Sequence, residues 1–177
     1  MTETLWIFGY GSLLWDPGFA PAETRVTHLT GWRRSFCMRS IHFRGTPEAP
    51  GLVLALDACA GASCAGLAMR VAPDQAEAVL AATRARELVS DAYLERWLGL
   101  SCADGTQIEA VTYVIDPQGP QYCAHPLEEQ AQIIARATGA RGPNRDYLWN
   151  TAAHLHDLGL ADPDLDWLAS RVRALVG

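Results

Sequence analysis

No run in this 177-residue sequence approaches the ~20 apolar residues that a helix needs to cross a bilayer. The segment Met1–Trp6 lacks the basic start of a signal peptide, so the expected compartment is the cytoplasm, with no membrane partner. Positive charge is scarce as well: 14 basic side chains stand against 20 acidic ones, for a formal net charge of −6, and the basic ones are dispersed. A nucleic-acid partner is not expected, because its footprint would be a basic face able to neutralise phosphates. The five cysteines (Cys37, Cys59, Cys64, Cys102, Cys123) are odd in number and form no C-x-x-C pair, which reads as reduced thiols. The five histidines do not combine with carboxylates or cysteines at ligand spacings, so no metal is expected. Internal repeats, low-complexity tracts and long linkers are missing too. With 49% hydrophobic residues, the chain is long enough for one domain, residues 1–177, with a sizeable core.

Glycine and proline cut the first two thirds into short segments rich in Val, Leu, Ile and aromatics, which predict strands. These are Leu5–Phe8, Arg25–Leu29, Trp32–Met38, Leu52–Asp57, Cys64–Val71, Tyr93–Leu100 and Gln107–Ile115. One helix interrupts them. Pro73 suits its first turn, Asp74 and Glu77 suit the positive end of its dipole, and Ala76, Val79, Leu80 and Thr83 share a face; it runs to about Glu87. After Pro120 three helices follow: Leu127 to Thr138 with Gly139 as its stop, Pro143 to Leu158 with a stripe of Tyr147, Leu148, Ala152 and Leu155, and Asp164 to Val176. Strands followed by helices argue for an α+β fold, a small curved sheet or β-barrel with one inserted helix and a C-terminal set of helices.

Four places carry candidate chemistry. Phe8-Gly9-Tyr10-Gly11-Ser12-Leu13-Leu14-Trp15 is a strand running into a loop with two glycines one residue apart. Such a loop lets successive N–H groups converge on an oxygen, although a plain tight turn has the same pattern. It is not a dinucleotide fingerprint, since the third glycine and the following long helix are missing. G-x-S there also lacks the second glycine of a hydrolase elbow, which argues against Ser12 as a nucleophile. Glu87 sits beside Arg86 at a helix C-terminus, where the dipole favours a protonated carboxyl and makes it a better base, or where it is simply a solvated side chain. The loop His42–Gly51 holds Arg44 and follows Arg34 and Arg39, guanidinium groups suited to a carboxylate or merely exposed. Finally, Gly142–Leu148 opens a helix in which Tyr147 faces a cleft or the core.

In this order, these pieces resemble the ChaC family of γ-glutamylcyclotransferases. The matching residues are Phe8–Trp15 (FGYGSLLW), Trp32–Phe36 (WRRSF), His42–Leu56 (HFRGTPEAPGLVLAL), Arg86-Glu87 and Gly142–Leu148 (GPNRDYL). In the shorter eukaryotic members, Arg-Glu is followed closely by Gly-Gly-Tyr. Here Leu-Val-Ser-Asp-Ala intervenes before Tyr93, which looks like the bacterial-type branch. The resemblance implies cleavage of glutathione to 5-oxoproline and cysteinylglycine by attack of the α-amine on the γ-carbonyl, without metal or cofactor. It implies Glu87 as the base, backbone donors from Tyr10, Gly11, Ser12 and Leu13, and a pocket lined by Tyr147; Arg44 is a further substrate-binding candidate on the chemistry of its guanidinium. Which of Arg34, Arg39 and Arg44 meets substrate stays open. So do a cyclotransferase for other γ-glutamyl amines or amino acids, and a non-catalytic γ-glutamyl-binding regulator linked to cation transport.

Overall fold

The computed structural model describes residues 4–89, 91–160 and 162–177. The chain forms two compact units, Met1–Arg34 with Leu56–Gly119, and Ser35–Ala55 with Pro120–Gly177. The first is built around a closed barrel of five strands: β1 (Trp6–Gly9), β2 (Glu23–Ser40), β3 (Gly51–Arg70), β4 (Tyr93–Cys102) and β5 (Gln107–Ile115), in the order β1-β3-β2-β4-β5. Antiparallel pairing places Trp6 opposite Arg70 and Gly9 opposite Leu67, whereas β1 meets β5 in parallel at Ile7 and Val111, which closes the ring. Ile7, Phe8, Ala68, Met69, Val111 and Tyr113 fill the buried positions of these strands. Their apolar side chains leave water together, which is the main favourable term in the fold.

The two longest strands depart from the sequence expectation. Arg25–Leu29 and Trp32–Met38 belong to one strand, β2, and Leu52–Asp57 and Cys64–Val71 to another, β3. The glycines that suggested breaks adopt positive φ, +88° at Gly31 and +83° at Gly61, a conformation open to glycine at little cost. The chain bends there and continues, as β-strands do at bulges. The stretches Ser35–Ser40 and Gly51–Ala55 fall in the second unit.

Between β3 and β4, a 3-10 turn at Pro73–Gln75 leads into α1 (Ala76–Glu87), as the sequence predicts. Thr83 is buried, Ala76, Val79 and Leu80 are half-buried, and the rest of the helix is mostly exposed. The Leu88 N–H donates to the Arg84 carbonyl (2.8 Å) and ends the helix directly after Glu87.

The second unit carries α2 (Leu127–Arg136), a two-residue hairpin of β6 (Thr138–Gly139) and β7 (Gly142–Pro143), α3 (Asn144–Asp157) and α4 (Pro163–Val176). Helix α2 stops at Arg136 rather than at Thr138, because Ala137 turns extended and the chain enters the hairpin. Gly139 is therefore no helix stop. A Cβ on it would stand 2.5 Å from the Gly45 nitrogen, so close backbone approach requires glycine there. In α3 the buried stripe is Asn144, Leu148, Thr151 and Leu155, while Tyr147 and Ala152 are half-buried. Arg171 on α4 grips Glu128 on α2 through two bonds of 2.8 and 2.9 Å.

Candidate active site

In the first unit, the loop after β1 closes into a 3-10 turn, Ser12–Leu14. The N–H groups of Leu14 and Asp16 donate to the Gly11 and Ser12 carbonyls, both at 2.9 Å. The N–H groups of Ser12 and Leu13, at the open end, have no acceptor within the turn, as at any helical start. Tyr10 precedes them, buried, with its hydroxyl donating to the Tyr113 carbonyl (2.7 Å). Its own carbonyl accepts from Arg34 Nε (2.7 Å), and Arg34 also donates to the Ala65 carbonyl. The base of the loop is thus fastened to three strands.

Glu87, the last residue of α1, keeps only 14% of its side chain exposed. Burial pushes its carboxyl above the ordinary range, and the Arg86 charge partly opposes that shift. The Arg86 guanidinium lies 3.5 Å from Glu87 Oε1 by its Nε, and it donates to Ser12 Oγ (3.1 Å) and to the Asp16 carbonyl (2.5 Å). One side chain therefore joins the expected base to the expected donor loop. Tyr113 on β5 also feels the Glu87 charge; burial, then neighbouring Glu95 and Glu87, holds its phenol well above the usual range and hence neutral. That phenol donates to Glu95 Oε2 (3.1 Å), whose carboxylate is held low by a bidentate pair with Arg84 (2.8 and 2.9 Å).

Tyr10, Gly11, Ser12, Leu13 and Glu87 accordingly sit in one unit, and Arg44 and Tyr147 in the other. Arg44 donates from Nη1 to the Arg141 (3.0 Å) and Pro143 (3.2 Å) carbonyls and stacks over the Tyr147 ring at 5.8 Å. Tyr147 meets Phe36 edge-on at 6.0 Å, and its hydroxyl accepts from the Leu54 N–H (3.2 Å). Arg39 donates to the Tyr122 (2.8 Å) and Pro120 (3.2 Å) carbonyls. All three arginines singled out for a substrate carboxylate thus bind backbone carbonyls. Of the insertion before Tyr93, Ser90 lies outside the described residues; the Ala92 carbonyl accepts from the Asp116 N–H (2.9 Å). Among the described residues, no three of His, Cys, Asp and Glu are grouped as metal ligands would be.

Sequence reasoning gave no role to Arg86, Tyr113 or the Arg84–Glu95 pair. Arg86 stood beside the expected base and was visible as its neighbour; its bonds to residues 12 and 16 had no local signal.

A family described as ChaC-like protein matches residues 5–175 of the chain. A glutathione-specific gamma-glutamylcyclotransferase of Escherichia coli (strain K12) is 36% identical over 173 residues, covering 97% of this chain and 74% of the relative. The human glutathione-specific gamma-glutamylcyclotransferase 1 is 34% identical over 155 residues, covering 85% of this chain and 69% of the relative. In fold, the chain is similar to the crystal structure of a yeast γ-glutamyl cyclotransferase specific to glutathione, with a TM-score of 0.86 at 19% identity, covering 98% of this chain and 97% of that one. With a match that runs from just before β1 into the last turn of α4, the chain belongs to the ChaC-like family.

Proposed function

We propose that this chain degrades glutathione to 5-oxoproline and cysteinylglycine, acting as one cyclotransferase domain with Glu87 as the general base. The observation that carries the reading is the buried Glu87 carboxyl, raised by desolvation and tied through Arg86 to the turn that starts at Ser12. An ordinary carboxylate, with pKa about 4.3, is a weak base toward an ammonium, and burial strengthens it. Its relatives' names give the substrate.

In glutathione, nucleophile and electrophile belong to one molecule. Holding the folded conformer supplies roughly 7–11 kcal/mol of barrier reduction in well-oriented intramolecular reactions. Glu87 takes a proton from the α-ammonium, the freed amine attacks the γ-carbonyl, and a five-membered ring closes. The N–H groups of Ser12 and Leu13, with Tyr10 and Gly11 completing the loop, hold the γ-glutamyl group as it binds and meet the oxyanion as it forms; one oxyanion donor is worth about 10²–10³ in rate. Collapse expels the cysteinylglycine nitrogen, which takes back the proton from Glu87. The ammonium loses two protons in all and the released amine gains two, one of them through Glu87. No step calls for a metal or cofactor.

The substrate contact assigned to Tyr147 rests on the family pattern, that of Arg44 on the chemistry of its guanidinium, and the cytoplasmic location on the sequence. No helix among the described residues is long and apolar enough to cross a membrane. The test is to incubate purified protein with glutathione and with a panel of γ-glutamyl amines and amino acids, measuring 5-oxoproline and the released amine. Equimolar products from glutathione support the reading. Turnover of other members of the panel but not glutathione moves the specificity, and no product from any of them sinks the reaction.

A further inference from the structure

We propose that Arg86 is a positioning residue for this reaction, a clamp whose guanidinium holds the turn after β1 and the end of α1 in one register, so that loop donors and base meet the substrate together. This rests on the reading of Glu87 as the base. The geometry is that of a fork with three directions. Nη1 points at the Asp16 carbonyl (2.5 Å), Nη2 at Ser12 Oγ (3.1 Å), and Nε toward Glu87 Oε1 (3.5 Å). Residues 12 and 16 are the two ends of the turn, already closed by the Asp16 N–H on the Ser12 carbonyl at 2.9 Å. Gripping both ends fixes the turn as a rigid body, and with it the N–H groups of Ser12 and Leu13. A planar guanidinium can do this, and a lysine ammonium, a single point on a flexible stem, cannot span the same set.

Stability is a poor explanation for the arrangement. The Arg86 side chain is 34% exposed and the facing Asp16 carboxylate, 4.0 Å away, is 72% exposed; ion pairs of that kind contribute little to folding. The charges around Glu87 also give Arg86 a distinct place. From β5, Tyr113 faces it as a neutral phenol, and behind that phenol the Arg84 and Glu95 charges offset one another. The Asp16 carboxylate lies 4.0 Å from Arg86 Nη1. The guanidinium is thus the cation in contact with Glu87, and it moderates what burial does to the carboxyl.

The experiment measures kcat and KM on glutathione across pH for wild type, Arg86→Gln, Arg86→Lys, Ser12→Ala and the Ser12→Ala/Arg86→Lys double variant, with melting curves for each. In Arg86→Gln, KM rises about 10-fold or more, the scale of a lost charge-assisted hydrogen bond. The acid limb of kcat/KM moves to higher pH, because the opposing charge is gone while burial remains. Arg86→Lys keeps the limb near that of the wild type yet still raises KM, since charge is retained and the fork is lost. A purely structural role would not split the two readouts. Wild-type KM and acid limb in Arg86→Gln overturn the proposal, as does full recovery of KM by lysine. If Arg86→Gln does not fold, the double variant decides: a KM effect smaller than the product of the two single effects supports a shared contact, and multiplicative effects overturn it. Glu87→Gln is run alongside. Wild-type turnover by that variant removes the base assignment, while the clamp is still read from KM.

Discussion

Asn144, at the first position of α3, is wholly buried, and its side-chain amide imitates a neighbouring strand. Its Oδ1 accepts from the Leu52 N–H and its Nδ2 donates to the Leu52 carbonyl, both at 2.8 Å. Replacement by alanine leaves both backbone groups of Leu52 without partners in a place where Leu52 itself is 1% exposed. Each buried polar group left unmade costs about 1–3 kcal/mol, so with two of them Asn144→Ala is expected to lose about 2–6 kcal/mol. That is a large part of the ~5–15 kcal/mol by which domains are stable. For a chain of this size, melting falls by about 2–4 °C per kcal/mol, which sets the expected drop at roughly 4–24 °C. Asn144→Asp refines the test. The carboxylate still accepts from the Leu52 N–H but opposes the Leu52 carbonyl, so that variant is at least as unstable near neutrality and recovers partly in acid, once the carboxyl can donate. Thermal denaturation gives the magnitude and hydrogen exchange at the Leu52 amide gives the location. A melting point within about 2 °C of wild type, with the Leu52 amide still protected, would refute the reasoning.

Three further outcomes follow from other contacts. Glu87 has a folded pKa above its unfolded one, so its contribution to stability is present at low pH and lost as pH rises through the folded value. Glu87→Gln should therefore melt higher than wild type near neutral pH, with the gap closing as pH falls below the unfolded value of about 4.3. For Glu128 the sign is opposite: Arg171 holds it down to about 2, so the pair stabilises above the unfolded range and is lost as pH falls toward that value. Melting of Glu128→Gln should converge with wild type in acid and, because both side chains are largely exposed, also in high salt. Gly66→Ala would put a Cβ 2.5 Å from the Gly9 carbonyl and 2.6 Å from the Phe8 ring. Overpacking of this kind costs about 1–3 kcal/mol, and displacement of β1 carries the donor loop with it, so both melting point and KM should suffer.

The sequence shows where apolar alternation and helical stripes lie, and it therefore shows the barrel strands, the turn at Pro73 that leads into α1, and the end of α1 at Glu87. Residues whose meaning depends on distant partners stay hidden. Gly31 and Gly61 have the look of strand breaks because composition cannot distinguish a bend at positive φ from a turn. Arg34 has the look of a ligand for a carboxylate, yet it is buried and donates to Tyr10 and Ala65 carbonyls, the second of them 31 positions away. Asn144 stands within the family's GPNRDYL stretch without any local hint that it completes β3, 92 positions earlier. Arg86 is the same case at the candidate site: the pair Arg86-Glu87 is adjacent in sequence, but Ser12 lies 74 residues before Arg86.

The central claim is that Glu87 moves the proton in a cyclisation. It is tested most directly by following 5-oxoproline and cysteinylglycine released from glutathione by the wild type and by Glu87→Gln, with circular dichroism confirming that both are folded. The expected result is equimolar products from the wild type and a fall of about 10²–10⁴ in the folded variant, the usual contribution of a positioned base. Turnover by folded Glu87→Gln within a few-fold of the wild type would contradict the account.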